Sequence, residues 1–227
     1  GAGRVMYAYT FLADSARSSL ILPPGLVGNL AIVQATEIIA IVEPELDLEM
    51  IQGSDEQLMR AVLNHDRVIR ELFEQTTLLP LRFGTYFVSE AGLVEHLQSH
   101  QLAYVDQLKL LTGKAEYSLK CLPKPSAEPV VSLDLEGSYF LAQKQRYQQQ
   151  TQQQQMQHVQ LQSLQSAIAQ TYPVVTGEPQ DDGLERLYLL VDRSLEAQLQ
   201  QQYQQWQSQS SLWQLSLGTA LPPYHFV

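Results

Sequence analysis

The sequence predicts an α+β protein of two domains. The first is a small N-terminal α+β domain (1–75). The second is a C-terminal ferredoxin-like (split βαβ) domain (76–218) with a helical insertion over about 134–172. Residues 219–227 are expected to form a tail packed at the domain junction. Three observations carry this prediction. A chain of 227 residues has room for one large domain or two modest ones. Strand-like runs rich in β-branched and aromatic residues alternate with helical apolar patterns. From Leu78 onward the order reads strand, helix, strand, long helical segment, strand, helix, strand, which is the split βαβ order once the long segment is set aside.

The first element, 4–12 (RVMYAYTFL), reads as a strand. A Pro/Gly turn region follows at 20–25, and the apolar run 30–42 is long enough for two strands or one bent one. Ser54 opens a helix, with Gln57 three residues later completing a capping box. Leu58, Ala61, Val62, His65, Val68, Ile69 and Leu72 then recur at helical spacing. The run 76–88 (TTLLPLRFGTYFV) reads as a strand, and Pro80 marks an edge, a bulge or the strand's start. Ser89 caps a helix expected to run to Leu111, with Gly113 just beyond its end. Residues 117–122 form a strand, followed by a proline-rich break at Pro123, Pro125 and Pro129.

The Gln-rich stretch 136–170 reads as an ordered helix rather than a disordered tract, because Gln is a good helix former and apolar residues recur through it. Tyr139, Phe140, Leu161, Leu164 and Ile168 are expected to pack on the protein. A loop, a strand at 184–191, a helix at 194–208 and a last strand at 212–218 complete the chain.

Composition narrows the function. A formal charge of −10 argues against binding nucleic acid, which needs a basic face, and against an anionic membrane surface. The single Cys121 excludes an intramolecular disulfide, a CxxC redox pair and a multi-Cys zinc site. No apolar run approaches the roughly 18–20 residues of a membrane span. The N-terminus has neither a basic flank nor an uninterrupted apolar stretch, so a soluble, cytoplasmic protein is expected.

No phosphate loop, GxGxxG, GxSxG or HExxH motif is present. His96 and His100, four apart on a helix, read as a solvent-facing pair. His65-Asp66-Arg67 reads as a polar flank, since adjacent helical residues point about 100° apart. Cys121 reads as an inert buried thiol. Arg82 is a lone cation in an apolar run. Its structural reading is a buried, charge-paired organiser of the join between domains; its functional reading is an anion site. Gly84 after Phe83 permits a bulge or a close backbone approach.

These segments together resemble a known family. Residues 65–71 (HDRVIRE) followed by 79–87 (LPLRFGTYF) are similar to the hallmark of the gas vesicle protein GvpF/GvpL family. Residues 111–120 (LTGKAEYSLK), 137–141 (GSYFL), 187–191 (LYLLV) and 218–226 (GTALPPYHF) resemble its later blocks in order. Thr219 and Ala220 stand where the family has Pro-Trp, and the Gln runs are a local departure. The resemblance spans the chain. It implies a two-domain α+β protein acting as a minor structural or assembly component of the gas vesicle, within the cytoplasm. The implied partners are the main shell protein GvpA, whose aggregation it would prevent during nucleation, and other gas vesicle proteins. No nucleic acid or membrane partner, cofactor, metal or catalytic residue is implied. A small-molecule (anion) binding module of ferredoxin-like fold is the alternative. Arg82, Phe83, Gly84, Pro222, Pro223, Tyr224 and Phe226 are the structural and interdomain residues, with Pro222 and Pro223 stiffening a tail whose apolar groups dock.

Overall fold

The computed structural model describes residues 3–126 and 136–227. The expected break at Pro129 lies outside the described residues. The chain forms two units: the first runs to Glu116 and takes back Ala220–Val227, and the second is Tyr117–Thr219. The boundary expected at 75/76 therefore falls at 116/117.

The first unit opens with β1 (Arg4–Ala13) and a short 3-10 turn. A hairpin of β2 (Ala31–Ala35) and β3 (Ile38–Asp47) follows, its turn reached through Thr36 at φ 55°. Then come α1 (Glu49–Gln52), α2 (Asp55–Phe73), β4 (Leu79–Pro80), β5 (Tyr86–Phe87), α3 (Glu90–Ser99) and α4 (Gln101–Leu111). The sheet order is β2-β3-β1-β4, with β5 also paired to β1. The helix expected from Ser89 breaks at His100, whose φ and ψ of −109° and 9° leave the helical region.

The run 76–88 is not the first strand of a second domain. Its two short pieces both pair antiparallel with β1, Leu79 opposite Phe11 and Phe87 opposite Met6. A buried strand cannot leave one edge of amides unpaired, so β1, with β3 on one side, takes β4 and β5 on the other. Residues Tyr7 to Leu12 are all buried, so both faces of β1 are covered. A register shift between Ala8 and Thr10 interrupts the alternation. Tyr7 and Tyr9 thus meet His65 of α2, while Phe11 meets His96 and Tyr104 of α3 and α4.

The second unit contains most of β6 (Lys114–Pro123), then α5 (Glu136–Ala169), β7 (Val174–Thr176), β8 (Glu185–Asp192), α6 (Glu196–Gln209) and β9 (Trp213–Leu217). Its sheet order is β7-β8-β6-β9. The Gln-rich helix is therefore no insertion: α5 is the crossover from β6 to the β7–β8 hairpin. In both sheets the strands lie in the spatial order second, third, first, fourth. Cys121 is buried in β6, and burial, with a smaller effect from Glu185, pushes its thiol up to about 12.

The 34 residues of α5 extend about 51 Å at 1.5 Å per residue. Its C-terminal half buries Leu161, Leu164 and Ile168. The glutamines there bind strand-end backbone: Gln153 and Gln157 donate to the Lys124 carbonyl at 3.1 and 2.9 Å, and Gln160 accepts from Leu212 N–H at 3.0 Å. The expected packing of Tyr139 and Phe140 fails, since they are 62% and 74% exposed. No apolar surface of the described residues lies over that half of the helix. Amide hydrogen exchange on the full chain should therefore divide α5 near Gln153. Residues 139–150 should exchange at least about tenfold faster than 157–168. Uniform protection would show that the first half is covered.

Candidate functional site

The helix α2 begins where the Ser54 side chain accepts from Gln57 N–H at 3.1 Å. Its apolar spacing presents Val68, Ile69 and Leu72 to the sheet, and the same face carries His65, which is 5% exposed. His65 is thus not a polar flank. Its Nε2 lies 2.8 Å from the Leu81 carbonyl, an acceptor only, so Nε2 carries the proton. Nδ1 then accepts from the Tyr7 hydroxyl at 2.8 Å, and that hydroxyl in turn accepts from Gly84 N–H at 3.1 Å. The ring therefore holds the Leu81 end of the turn directly and the Gly84 end through Tyr7. Phe83 packs edge-on to the imidazole at 5.7 Å. Gly84 has φ 86°, the left-handed conformation that side chains disfavour.

The neighbouring residues bind other segments. Asn64 donates to the Tyr9 hydroxyl at 2.9 Å, and Arg67 donates at 2.7 Å to Asn64 Oδ1 and to the Pro24 carbonyl. The buried Glu43 carboxylate accepts from Tyr9 and from the N–H groups of Leu26 and Val27. A Cβ at Gly25 would run into the Glu43 carboxylate and stand 2.8 Å from the Gly28 carbonyl, so a side chain there would push Glu43 off its bonds. Burial raises the Tyr7 hydroxyl to about 12 and raises Tyr9 as well, with Glu43 adding to the shift. Burial lowers the His65 imidazole below its ordinary value.

The tail returns to this same unit. Leu221 bridges Glu116, exchanging two backbone bonds of 2.9 Å. The Glu116 carboxylate, 1% exposed, accepts from His225 N–H at 2.7 Å and lies 2.9 Å from His225 Nδ1. Tyr224 donates to Asp66, which also pairs with Arg70 at 2.7 Å. Burial and the Asp66 bond raise the Tyr224 hydroxyl. Pro222 and Pro223 are buried, and Tyr224 and Phe226 are half-buried.

Arg82 departs from expectation. Its side chain is exposed rather than buried, and among the described residues it has no salt bridge. The Gly84 turn swings it out of the sheet, so the apolar run around it does not enclose it. His96 and His100 stack at 4.2 Å, but they are not simply solvent-facing: His96 bonds Tyr104 at 2.7 Å and packs on Phe11 and Phe87. Among the described residues, no three His, Cys, Asp or Glu side chains gather to hold a metal. An open cleft of about 710 Å³ lies elsewhere on this unit, lined by residues including Asp14, Glu37, Thr77, Val105, Lys109 and Thr112.

The comparisons with known proteins agree with the signature blocks. A family model described as gas vesicle synthesis protein GvpL/GvpF matches residues 5–227. The chain belongs to this family. The crystal structure of the gas vesicle protein GvpF from Anabaena sp. PCC7120 is 16% identical, with a TM-score of 0.71, covering 99% of this chain and 96% of that one. GvpF from Microcystis aeruginosa is also 16% identical, with a TM-score of 0.67 and 98% of each chain covered. At these identities the likeness establishes the mixed α+β fold. No curated protein matches the chain in sequence. Membership gives this GvpL/GvpF chain a gas vesicle-related role.

Within this GvpL/GvpF member, the hallmark blocks 65–71 and 79–87 meet at the His65 bridge. Sequence reading missed that bridge although His65 stood in the apolar register of α2. That register was the signal that could have found it. His65→Ala would strand the Tyr7 hydroxyl and the Leu81 carbonyl, and it should cost about 3 kcal/mol in denaturant unfolding. Because the folded imidazole resists protonation and the unfolded one does not, stability should fall as pH drops below about 6.5. His96, also lowered by burial, acts in the same direction, so His65→Ala should remove only part of that acid sensitivity.

Removal of residues 219–227 would take from Glu116 its His225 partners, and from the unit the burial of Pro222, Pro223 and Tyr224. The loss should be about 3 kcal/mol or more, read as a lower melting temperature. An unchanged melting curve on truncation would show that the tail contributes nothing to the unit.

Proposed function

We propose that this protein is an assembly component of the gas vesicle that binds the main shell protein GvpA and keeps it from aggregating during nucleation. Family membership over residues 5–227 is the observation that carries the reading. In this proposal the protein resides with the vesicle, and other gas vesicle proteins are its further partners. The second unit's strand–helix–strand–strand–helix–strand order and its β7-β8-β6-β9 sheet support a ferredoxin-like description, with α5 as the first crossover helix. The first unit, held by the His65 bridge and clamped by residues 220–227, is the rigid body that presents the binding surface.

The cleft of about 710 Å³ is the proposed seat for a shell-protein segment. It mixes apolar groups (Val105, Leu108) with threonines and few charges, as suits a chain segment that is largely apolar but carries backbone groups. The anion-binding alternative finds no support here, because Arg82 does not line the cleft, whose charged lining is Asp14, Glu37 and Lys109. In a pull-down from cells co-expressing both proteins, Val105→Glu should reduce GvpA capture at least about tenfold, since a charge then occupies an apolar contact. Its melting temperature should stay near that of the parent, as Val105 is only half-buried. Full capture by this variant would remove the cleft from the proposal, and no capture by the parent would overturn the GvpA reading.

A further inference from the structure

Among the helix faces that leave apolar residues exposed in the described residues, two are opposite in charge. One is the first half of α5. There Phe140 and Tyr147 are 74% and 72% exposed, beside the exposed Leu141. Phe140, Tyr147, Gln154, Leu161 and Ile168 recur every seventh residue, so this stripe continues the one that α5 buries in its own unit at Leu161 and Ile168. Lys144 lies within it, one turn from Phe140 and from Tyr147, and Arg146 stands beside it, about 100° round the helix from Tyr147, in a chain whose net charge is −10. The other face lies on α2. Leu58, Met59, Val62 and Leu63 are exposed along two turns, and Asp55 and Glu56 stand at the same end in the first turn. Arg60 borders that stripe, about 60° round the helix from Leu63 and one turn beyond Glu56.

We infer that these faces fit each other between copies: the first half of α5 of one molecule docks on the α2 face of a second copy of this chain. Charge decides against the alternative of α5 pairing with α5, which would bring two copies of Lys144 and Arg146 together. Against α2 the same cations meet Asp55 and Glu56, while the aromatic rings cover Leu58, Met59, Val62 and Leu63. The contact uses a different patch on each partner, so it leaves one free face at either end and propagates head to tail. Each face covers only a few helical turns, less than the roughly 1,200 Å² typical of stable complexes, so single contacts are weak and a row of copies gains from repetition. Such a row would gather several molecules, independently of what each binds in its cleft.

Sedimentation velocity on the full chain, from about 5 to 500 μM, tests this. The sedimentation coefficient should rise steadily with concentration. The variant Phe140→Ser/Tyr147→Ser and the variant Met59→Ser/Leu63→Ser, all at exposed positions, should each remain monomeric. Mixed one to one, the two variants should form a pair and nothing larger, because each retains one intact face. Lys144→Glu/Arg146→Glu should weaken association at least about tenfold, and adding Asp55→Lys/Glu56→Lys should restore it. A parent chain that is monomeric throughout overturns the inference. So does a Met59/Leu63 variant that still associates like the parent, which would mean α5 pairs with α5. Failure of the reversed charges to restore association overturns it as well.

Discussion

The His65 ring accepts from Tyr7 and donates to Leu81, and these two buried bonds fix where α2 lies on β1 and where the chain turns at Gly84. The position of β5 follows from that turn, because Gly84 N–H is held on the same Tyr7 hydroxyl. The next two residues of α2 point in other directions, about 100° apart. Asp66 receives Tyr224 of the tail, and Arg67 holds the Pro24 carbonyl of the loop over Glu43. Three consecutive residues thus tie three separate segments to one helix. The geometry that prevents adjacent helical side chains from acting as one catalytic group is what lets them serve as a three-way joint.

The sequence made the existence and type of most elements legible, and the sheet to which each belongs far less so. Residues 4–12 read as a strand because they are apolar and β-branched, and 55–73 as a helix because of cap and period. The run 76–88 was as apolar as a strand of a second sheet should be, yet nothing local says which edge it will join. The unpaired edge of β1 decides that, and only the tertiary structure contains it. The same limit turned α5 into an expected insertion: with 76–88 counted as a first strand, one helix was left over. Arg82 was misjudged because composition reports the neighbours along the chain, and the turn at Gly84 changes the neighbours in space. Tyr139 and Phe140 were misjudged because aromatic content marks burial on average but not what lies above a given helical turn.

The glutamines have a physical use that low-complexity labels hide. A primary amide both donates and accepts, so on a helix beside a sheet it can satisfy the backbone at strand ends whichever group is exposed there. Gln157 donates to two carbonyls, Gln160 accepts from an N–H, and Gln207 does both, to Trp213 O and from Leu215 N–H at 2.8 Å each. Charged side chains in the same places would have had to bury their charge. A helix rich in Gln can therefore pack by its polar atoms as well as its apolar ones.

The return of the tail to Glu116 also has a kinetic side. The residue that meets this carboxylate lies 109 positions further along the chain. At a synthesis rate of roughly 5–20 residues per second, His225 emerges from the ribosome on the order of 5–20 s after Glu116. The second unit is complete at Thr219, before the unit that precedes it has received its closing segment. The earlier-born unit is thus the later to mature, and during that interval its carboxylate must stay hydrated, holding open the very place the chain end will seal.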